Sequence, residues 1–369
     1  MKMFIIGIVK IIAALFVLIL VVAFLYTMFS PQMGARNGGY SFSLNFIDGK
    51  FKNLVDTSMT SGDGSMVVSM YEFFFKKHED VFPKETIQTE EVDLKLLSNL
   101  KEGEVAVAWL GNSTVLIKTK DITILTDPVL NGKRVPPLHL GPKPFPYSTT
   151  YDIDNLPKVD VVLISHDHYD HLDMETIKKL KDKKFFVPLG VKEHLVHWGV
   201  DESNITELDW YAEKEYSEGA TIALTPTRHF SGRGLLDRNS TLWGAWVLQL
   251  GGKKLYFGGD SGYFEEFKKV GEKYGPFDLA FLDTGQYDVS WQLVHMLPEE
   301  GVQAALDLQA KAMLPIHNSK YILSKHAWYE PLERVTAAAQ KNNVNVTTPR
   351  IGKTFLLDDD LPTTKWWEQ

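Results

Sequence analysis

The stretch Ser165–Asp173 reads SHDHYDHLD and lies directly behind the apolar run Val159–Ile164. A strand that ends in a tight loop brings four side chains of this stretch into one small volume: His166, His168, Asp170 and His171. Neutral imidazoles and a carboxylate are ligands that suit Zn²⁺, with Mn²⁺ or Fe as rivals. A polar loop that is rich in histidine for purely structural reasons is uncommon. The sequence therefore predicts a metal site at this loop.

Three further polar residues later in the chain also stand at the ends of apolar runs. They are His229 after 220–226, Asp260 after 254–257, and His317 after 312–316. A single histidine behind a strand is more often a surface or core residue than a ligand. Three such residues in series favour one shared site, because active sites gather where strand ends and their loops converge.

With these residues in place, the chain from about Val105 to about Leu357 closely resembles the metallo-β-lactamase superfamily. The metal loop, the three later residues and the early segments WLGNSTVLI (Trp109–Ile117) and LTDP (Leu125–Pro128) carry the resemblance. A narrower resemblance is to the branch of N-acyl-phosphatidylethanolamine phospholipase D, RomA-like and ascorbate-6-phosphate lactonase-like proteins. It is carried by the segments GPKPF (141–145), ELDW (207–210), DRNSTLWGAW (237–246), GDSGY (259–263) and HMLPEE (295–300).

The resemblance implies a dinuclear metal centre. One metal would be held by His166, His168 and His229, a second by Asp170, His171 and His317, and Asp260 would bridge both. We expect two Zn²⁺ ions per chain, with Mn or Fe as possible alternatives. Two such cations lower the pKa of a shared water from about 15.7 to near 7, and the resulting hydroxide attacks an ester, lactone or phosphodiester centre.

Two other residues receive roles next to the metals. Asp127, in LTDP, is expected to orient a ligand imidazole through a hydrogen bond. The resemblance implies that His295 lines the pocket near the substrate or leaving group, where it could donate a proton. The alternative is that His295 is a loop histidine with no role. The candidate catalytic residues are His295 and Asp170, one of the implied metal ligands.

The chain departs from the branch pattern at two places near the site. Asn112 stands where relatives usually carry histidine in the WLGH segment, and 318–320 read Asn-Ser-Lys where the phospholipase-like branch has Trp-Gly-Thr. Neither departure changes an expected metal ligand. Both alter the expected pocket, so they leave the identity of the substrate open.

The amino terminus predicts a membrane anchor. Ile11–Phe29 is nineteen residues of apolar or small character, about 28 Å long as a helix. Lys2 and Lys10 precede it and Arg36 follows it, so the positive-inside rule puts the start in the cytoplasm and the catalytic domain outside. A cleaved signal peptide is the competing interpretation, but the apolar stretch is long and no small-x-small cleavage site follows it.

Between the anchor and the catalytic domain, the sequence predicts a linker and lead-in. Residues 31–102 follow the anchor (1–30) and precede the hydrolase domain (103–360), and they contain one predicted helix, Ser65–Lys77. Met66, Met70, Phe73 and Phe74 recur on it at near-helical spacing. Such spacing usually means burial against a core; the functional alternative is a membrane-facing lip that binds the acyl chains of a substrate.

The predicted fold class is α/β, an αβ/βα sandwich with an N-terminal transmembrane helix. The strand 159–164 precedes a predicted helix Met174–Lys181, and a strand near 280–282 precedes one over 298–310; this alternation suits the sandwich that the resemblance implies. The chain has 369 residues, 44% of them hydrophobic, which suffices for one large domain. It has no cysteine, so it needs no disulfides.

The charge of the chain bears on its partners. Its net charge is −8 and no basic track is visible, so we expect no nucleic acid partner. The predicted function is a membrane-anchored dinuclear zinc hydrolase that cleaves phosphodiester bonds of N-acyl-phosphatidylethanolamine-like lipids. The alternative is a lactonase or carboxylic-ester hydrolase on a small soluble substrate. A metal-binding sensor or scaffold is disfavoured because no expected ligand is missing.

Overall fold

The computed structural model describes residues 2–36, 39–58, 68, 71–72, 75–130, 132–135, 141–217, 219–234 and 236–368. The predicted lip residues Met66, Met70, Phe73 and Phe74 lie outside the described residues. The α-helices among the described residues are α1 (Lys2–Phe29), α2 (Leu94–Ser98), α3 (Met174–Lys179), α4 (Lys192–His197), α5 (Glu266–Tyr274), α6 (Pro298–Asp307) and α7 (Glu330–Asn342).

The strands form two large sheets and one short hairpin. The hairpin pairs β1 (Phe46–Ile47) with β2 (Lys50–Phe51). The first large sheet has the order β15-β3-β4-β5-β6-β7-β8, with strands Thr354–Leu356, Ala106–Trp109, Val115–Lys118, Thr123–Thr126, Val161–Leu163, Lys184–Pro188 and Ile205–Leu208. The second has the order β14-β13-β12-β11-β10-β9, with strands Met313–Ile316, Leu279–Asp283, Lys253–Phe257, Ala245–Leu250, Ala220–Thr225 and Glu213–Ser217.

Each large sheet is mixed, with parallel pairing on one side and antiparallel pairing on the other. In the first sheet β5, β6, β7 and β8 run parallel, and in the second β12, β13 and β14 do. Parallel strands need crossover connections. Helix α3 lies in the connection from β6 to β7, and α6 lies in the one from β13 to β14.

Alternation along the second sheet shows how the layers stack. Leu255 and Phe257 of β12 belong to the same core cluster as the strands of the first sheet, whereas Tyr256 between them packs in a separate cluster. That second cluster contains Phe267 of α5 and Val302 of α6. Because successive strand residues point to opposite faces, one face meets the other sheet and the opposite face is covered by helices. The predicted α/β sandwich is confirmed.

The predicted elements around the metal loop are close to the observed ones. The strand expected at 159–164 is β6, and the helix expected at Met174–Lys181 is α3, which ends two residues earlier, at Lys179. The helix expected over 298–310 is α6, which begins at Pro298 and ends at Asp307. Expected and observed starts agree because Asp173 caps the N-terminus of α3 and Pro298 occupies the first position of α6.

Residues outside the predicted 103–360 range also contribute to the core between the sheets. Phe51 is fully buried there, together with Leu97 of α2 and Val92 before it. At the other end of the chain, Trp366 and Trp367 are buried in the same cluster. The lead-in and the C-terminus therefore pack as parts of the folded body.

The N-terminal helix α1 has a span, Ile6–Tyr26, that is long and apolar enough to cross a membrane. It begins earlier than the predicted 11–29 and includes Lys10. None of this span is buried against the rest of the protein. An unburied apolar helix of 21 residues suits the roughly 30 Å core of a bilayer, so α1 is a candidate transmembrane span.

Candidate metal centre

The metal loop begins after β6, at the carboxyl ends of the parallel strands of the first sheet. Asp127, the residue after β5, holds it there. The Oδ1 atom of Asp127 accepts a hydrogen bond from the backbone N–H of Ser165 at 2.7 Å, and its Oδ2 accepts one from the Ser165 hydroxyl at 2.5 Å. Because β5 and β6 run parallel, both loops emerge at the same edge. The loop start is thereby fixed before the first histidine.

The first predicted group of ligands comes together at this edge. The Nε2 of His166 lies 2.9 Å from the Nδ1 of His168, and the Nε2 of His229 lies 3.3 Å from that same atom. The ligand atoms of these three histidines and of Asp260 lie within 4.8 Å of one another. His229 reaches the loop from β10 across the sandwich, so two sheets contribute to one cluster.

The second predicted group also converges. The Oδ2 of Asp170 lies 3.0 Å from the Nε2 of His317 and 3.3 Å from the Nε2 of His171. His317 follows β14 and has a backbone φ of +62°. A left-handed conformation is uncommon for histidine and costs free energy, and such strain concentrates at functional sites.

Asp260, after β12, joins the two groups. Its Oδ2 lies 3.7 Å from the Nε2 of His166 and 3.8 Å from that of His229, both in the first group. The same oxygen lies 3.2 Å from the Nε2 of His171 and 3.4 Å from that of His317, both in the second group. One carboxylate oxygen is therefore surrounded by four imidazoles, an arrangement that is compatible with a ligand shared by two cations.

The protonation of the metal-free chain differs between the groups. Burial, aided by neighbouring imidazoles, lowers the pKa of His166 and His229 well below the ordinary value. Burial also lowers the pKa of His317, but the carboxylates of Asp260, Asp283 and Asp170 outweigh it and raise the pKa to about 10. The pKa of His171 is raised for the same reason: burial lowers it, but the carboxylates of Asp260 and Asp170 outweigh burial. The first group is neutral at pH 7, and the second holds protons.

The polar atoms of the site fit a bound cation. Asp260 Oδ1 is fully buried and has no hydrogen-bond partner among the described residues. A buried polar atom without a partner is costly, and ligation by a metal ion would satisfy this oxygen. Imidazoles and carboxylates are ligands of divalent transition metals and Zn²⁺.

Asp127 also reaches the second group. Its Oδ2 lies 2.7 Å from the Nδ1 of His171, both side chains are fully buried, and the Nε2 of the same ring points to Asp170 and Asp260. A carboxylate on the far nitrogen of a ligand histidine sets the tautomer and orientation of the ring. Asp127 therefore contacts the far nitrogen of His171, and its role in orienting a metal ligand stays a prediction.

Asp283, at the end of β13, is a site residue that the sequence analysis missed. Its carboxylate lies 2.8 Å from the Nδ1 of His295 and 3.2 Å from the Nδ1 of His317. Asp283 is fully buried, whereas the His295 side chain is 15% exposed. The signal was present, because Asp283 ends an apolar run just as Asp260 and His317 follow theirs.

His295 lies beside both groups of ligands. Its ring centroid is 5.0 Å from that of His229 and 5.1 Å from that of His317, with the latter pair stacked. The hydrogen bond to Asp283 uses Nδ1, so the Nε2 atom is left for other contacts. The partial exposure of the ring puts it where the site meets solvent.

The two departures from the branch pattern have definite contacts. The Asn112 side-chain amide donates to the backbone oxygen of Asp170 at 3.1 Å and to its Oδ2 at 3.3 Å. The ammonium of Lys320 is buried and donates to the backbone oxygen of Val129 at 2.7 Å. Burial lowers the pKa of Lys320 to about 8. Asn112 thus supports Asp170 directly, and Lys320 supports the loop after β5.

Comparison with known proteins identifies the family. A family model described as a beta-lactamase superfamily domain matches residues 123–318, more than half of the chain. The chain therefore belongs to the beta-lactamase superfamily, and its two-sheet body is a metallo-β-lactamase fold. The solved structure of Igni18, a metallo hydrolase from Ignicoccus hospitalis, has a TM-score of 0.52 at 20% identity and covers 70% of this chain and 100% of that one.

Three proteins of similar sequence indicate which members of the superfamily this chain resembles. An uncharacterized protein of Mycobacterium tuberculosis is 37% identical over 88% of this chain and 87% of its own length. The N-acyl-phosphatidylethanolamine-hydrolyzing phospholipase D 1 of Caenorhabditis elegans is 36% identical over 63% of this chain and 69% of its own length. Outer membrane protein RomA of Klebsiella pneumoniae is 50% identical over 27% of this chain and 76% of its own length. The predicted resemblance to this superfamily and to both named relatives is confirmed.

Metal loading of the metal-free chain at pH 7 should release protons. His171 and His317 carry raised pKa values, and an imidazole must lose its proton before it binds a metal. Because protons compete with the cation, metal affinity should rise with pH as His171 and His317 lose their protons. Calorimetric titration with Zn²⁺ in buffers of different ionisation enthalpy measures the protons released. His317→Ala should release fewer, and an unchanged count in that variant would contradict the assignment.

Proposed function

We propose that the protein is a membrane-anchored, dinuclear metal-dependent hydrolase that cleaves a phosphodiester bond of phospholipase D type in N-acyl-phosphatidylethanolamine-like lipids. The observation that supports two metals is the position of Asp260, whose Oδ2 lies 3.2 Å to 3.8 Å from imidazoles of both ligand groups. The similarity to the Caenorhabditis elegans phospholipase D supports the substrate class.

We assign His166, His168 and His229 to the first cation, Asp170, His171 and His317 to the second, and Asp260 to both. When bound, two cations such as Zn²⁺ supply Lewis acidity and a water-derived nucleophile at neutral pH. Asp127 keeps the His171 ring oriented, and Asp283 does the same for His317.

We assign His295 the role of proton donor. Hydrolysis of a phosphodiester breaks the bond between phosphorus and the leaving oxygen, and that oxygen must gain a proton. The Nδ1 of His295 is held by the Asp283 carboxylate, which fixes the orientation of the ring. The Nε2 proton can then pass to the leaving alcohol, as in general acid catalysis.

Three substrates decide the reaction class. Activity of the Zn²⁺-loaded full chain should be measured on N-acyl-phosphatidylethanolamine, on a chromogenic phosphodiester and on a lactone. We expect turnover of the lipid and slower turnover of the chromogenic compound, because acyl chains add binding energy that a small ester lacks. Turnover of the lactone alone would overturn the phosphodiesterase proposal in favour of the lactonase alternative.

The anchor fits a lipid substrate. Withdrawing an acyl chain from a bilayer costs about 0.8 kcal/mol for each CH₂ that meets water, so an enzyme held at the membrane avoids part of that cost. The candidate span Ile6–Tyr26, which includes Lys10, would hold it there, with Lys2 on the cytoplasmic side and the catalytic domain outside the cytoplasm. Met66, Met70, Phe73 and Phe74, which lie outside the described residues, are the proposed contacts for the acyl chains.

A version that begins near Ser30 should separate membrane access from chemistry. We expect it to keep both metals and full activity on a small soluble phosphodiester, because no proposed ligand precedes Ser30. The same version should lose most of its activity on lipid presented in vesicles, and replacing Phe73 and Phe74 with serine should deepen that loss. Metal content and initial rates on both substrates are the measurements.

The control is the same lipid dispersed in detergent micelles, where the substrate is accessible without an anchor. In micelles the shortened version should regain its activity on the lipid. Equal vesicle activity with and without the anchor would leave α1 as a localisation signal only and would favour a soluble substrate.

A further inference from the structure

The chain that leaves α1 packs onto the folded body at once. We call Ser30–Arg36 the exit segment. Its Pro31 oxygen accepts a hydrogen bond from the indole N–H of Trp198 at 2.7 Å, and the backbone N–H of Ala35 donates to the Nδ1 of His194 at 3.1 Å. Met33 is buried, with 6% exposure. A flexible tether would need none of these contacts.

The exit segment also supplies an acceptor to a buried arginine. Arg233 is 4% exposed, and its Nε and one terminal nitrogen donate to the Gln32 oxygen at 3.0 Å and 2.8 Å. Its guanidinium lies 4.0 Å from the centroid of the Tyr169 ring and 5.1 Å from that of Trp198. A buried charge is stable only when its donors are satisfied, and the exit segment satisfies one edge of this one.

The opposite edge of the same guanidinium holds the metal loop. The other terminal nitrogen of Arg233 donates to the Asp167 oxygen at 2.6 Å and to the Leu172 oxygen at 2.8 Å. Asp167 stands between His166 and His168, and Leu172 follows His171. One side chain therefore fixes both ends of the loop that carries the proposed ligands.

A second route joins the exit segment to the loop through His194. The Nδ1 of His194 accepts from Ala35, while its Nε2 lies 3.3 Å from the Oδ2 of Asp167. Asp167 is fully buried and its Oδ1 also accepts from the backbone N–H of Gly232 at 2.7 Å. The two routes meet at Asp167.

We infer that the exit segment is a positioning element of the metal centre and that Arg233 is the positioning residue that couples them. If the Gln32 oxygen moved away, the guanidinium would lose acceptors for one edge and would have to turn toward others. That turn would release the carbonyls of Asp167 and Leu172 and loosen the loop. The exit segment, which a version that begins near Ser30 retains, would then complete the site independently of the anchor.

A substitution of Gly34 by alanine, which adds a single Cβ atom, can displace the exit segment. Its φ is +70° and its ψ is −153°, a region essentially restricted to glycine. A Cβ at this position would lie 2.1 Å from the Nδ1 of His194, so the segment or the ring must move. Gly49 is a matched control, because its φ is +74° and a Cβ there would meet nothing within 4 Å.

Gly34→Ala in the full chain should weaken Zn²⁺ binding by about 10-fold or more, the effect expected when a partner that orients ligands is lost. Its kcat on a small soluble phosphodiester should fall with KM unchanged, and the visible spectrum of the Co²⁺-loaded protein should shift. Gly49→Ala should leave metal affinity and spectrum as they are. Zn²⁺ competition with a chromogenic chelator gives the affinities without any substrate.

Trp198→Phe is the milder variant if Gly34→Ala does not fold. It removes the N–H that binds Pro31 and part of the ring that packs near His194 and Arg233, and it should weaken Zn²⁺ binding by about 3- to 10-fold. Folded Gly34→Ala or Trp198→Phe with wild-type Zn²⁺ affinity and Co²⁺ spectrum would overturn the inference. The inference rests on the proposed metal ligands but not on the proposed substrate. If the protein did not cleave phospholipids, the Zn²⁺ affinities of the variants would still test the inference.

Discussion

Asp260→Ala should reduce turnover by at least about 10³-fold and lower the metal content below two ions per chain. The physical reason is the position of one oxygen, Oδ2, which lies within 3.8 Å of four imidazole nitrogens. Without that carboxylate, both cations lose a shared anionic ligand and repel each other across the gap. Elemental analysis of the purified protein and rates on a chromogenic phosphodiester measure the two effects.

Asp260→Asn separates charge from volume. The amide has the shape of the carboxylate but no negative charge, so we expect it to lose nearly as much activity as alanine. Glu265→Gln, at an exposed position five residues later, is the matched control and should stay within about twofold of wild type, as exposed surface changes usually do. Full activity of Asp260→Ala with two metals retained would contradict the dinuclear proposal.

The sequence predicted the convergence of the ligands because of where they stand. His229, Asp260 and His317 each follow an apolar run, and parallel strands of one sheet end at the same edge. The resemblance to a known superfamily then sorted these residues into two groups, and the interatomic distances are consistent with both. The position of each residue behind its strand was sufficient to predict that the ligands converge, because short loops keep each residue close to the end of its strand.

Contacts between elements that are distant in sequence could not be predicted in this way. Asp283 was missed although it ends a strand, because its role depends on His295 and His317, 12 and 34 residues further on. Arg233 and Gln32 are 201 residues apart, and no pattern in either segment indicates their contact. The exit segment was expected to be part of a linker, since its composition gives no sign of the acceptors that it presents.

The positions that depart from the branch pattern illustrate the same limit. The place of Asn112 in WLGN marks it as a departure from the branch pattern, but neither its backbone φ of +51° nor its hydrogen bond to Asp170 can be read from the sequence. Asparagine adopts that conformation more readily than most residues. A substitution that looked like a change of pocket therefore also supports a proposed ligand.

His295→Ala should lower kcat by roughly 10²- to 10⁴-fold, the loss expected for a general acid, while two metals remain bound. The ring lies at the solvent side of the cluster, 15% exposed, with its Nδ1 on Asp283. Because the seven proposed ligands do not include it, its removal takes a proton donor from the leaving group and leaves the cations in place. Rates on a chromogenic phosphodiester and metal analysis of the same sample are the measurements.

The leaving group provides a sharper form of this test. A general acid matters most when the departing alcohol is a strong base, so His295→Ala should lose far less activity on a nitrophenyl ester than on an alkyl ester. His197→Ala, which alters an exposed histidine of α4, should leave both rates unchanged. Loss of one metal ion in His295→Ala would instead identify His295 as a ligand. An equal loss of rate on both esters, with both metals retained, would mean that the ring binds or orients the substrate and that the proton comes from elsewhere.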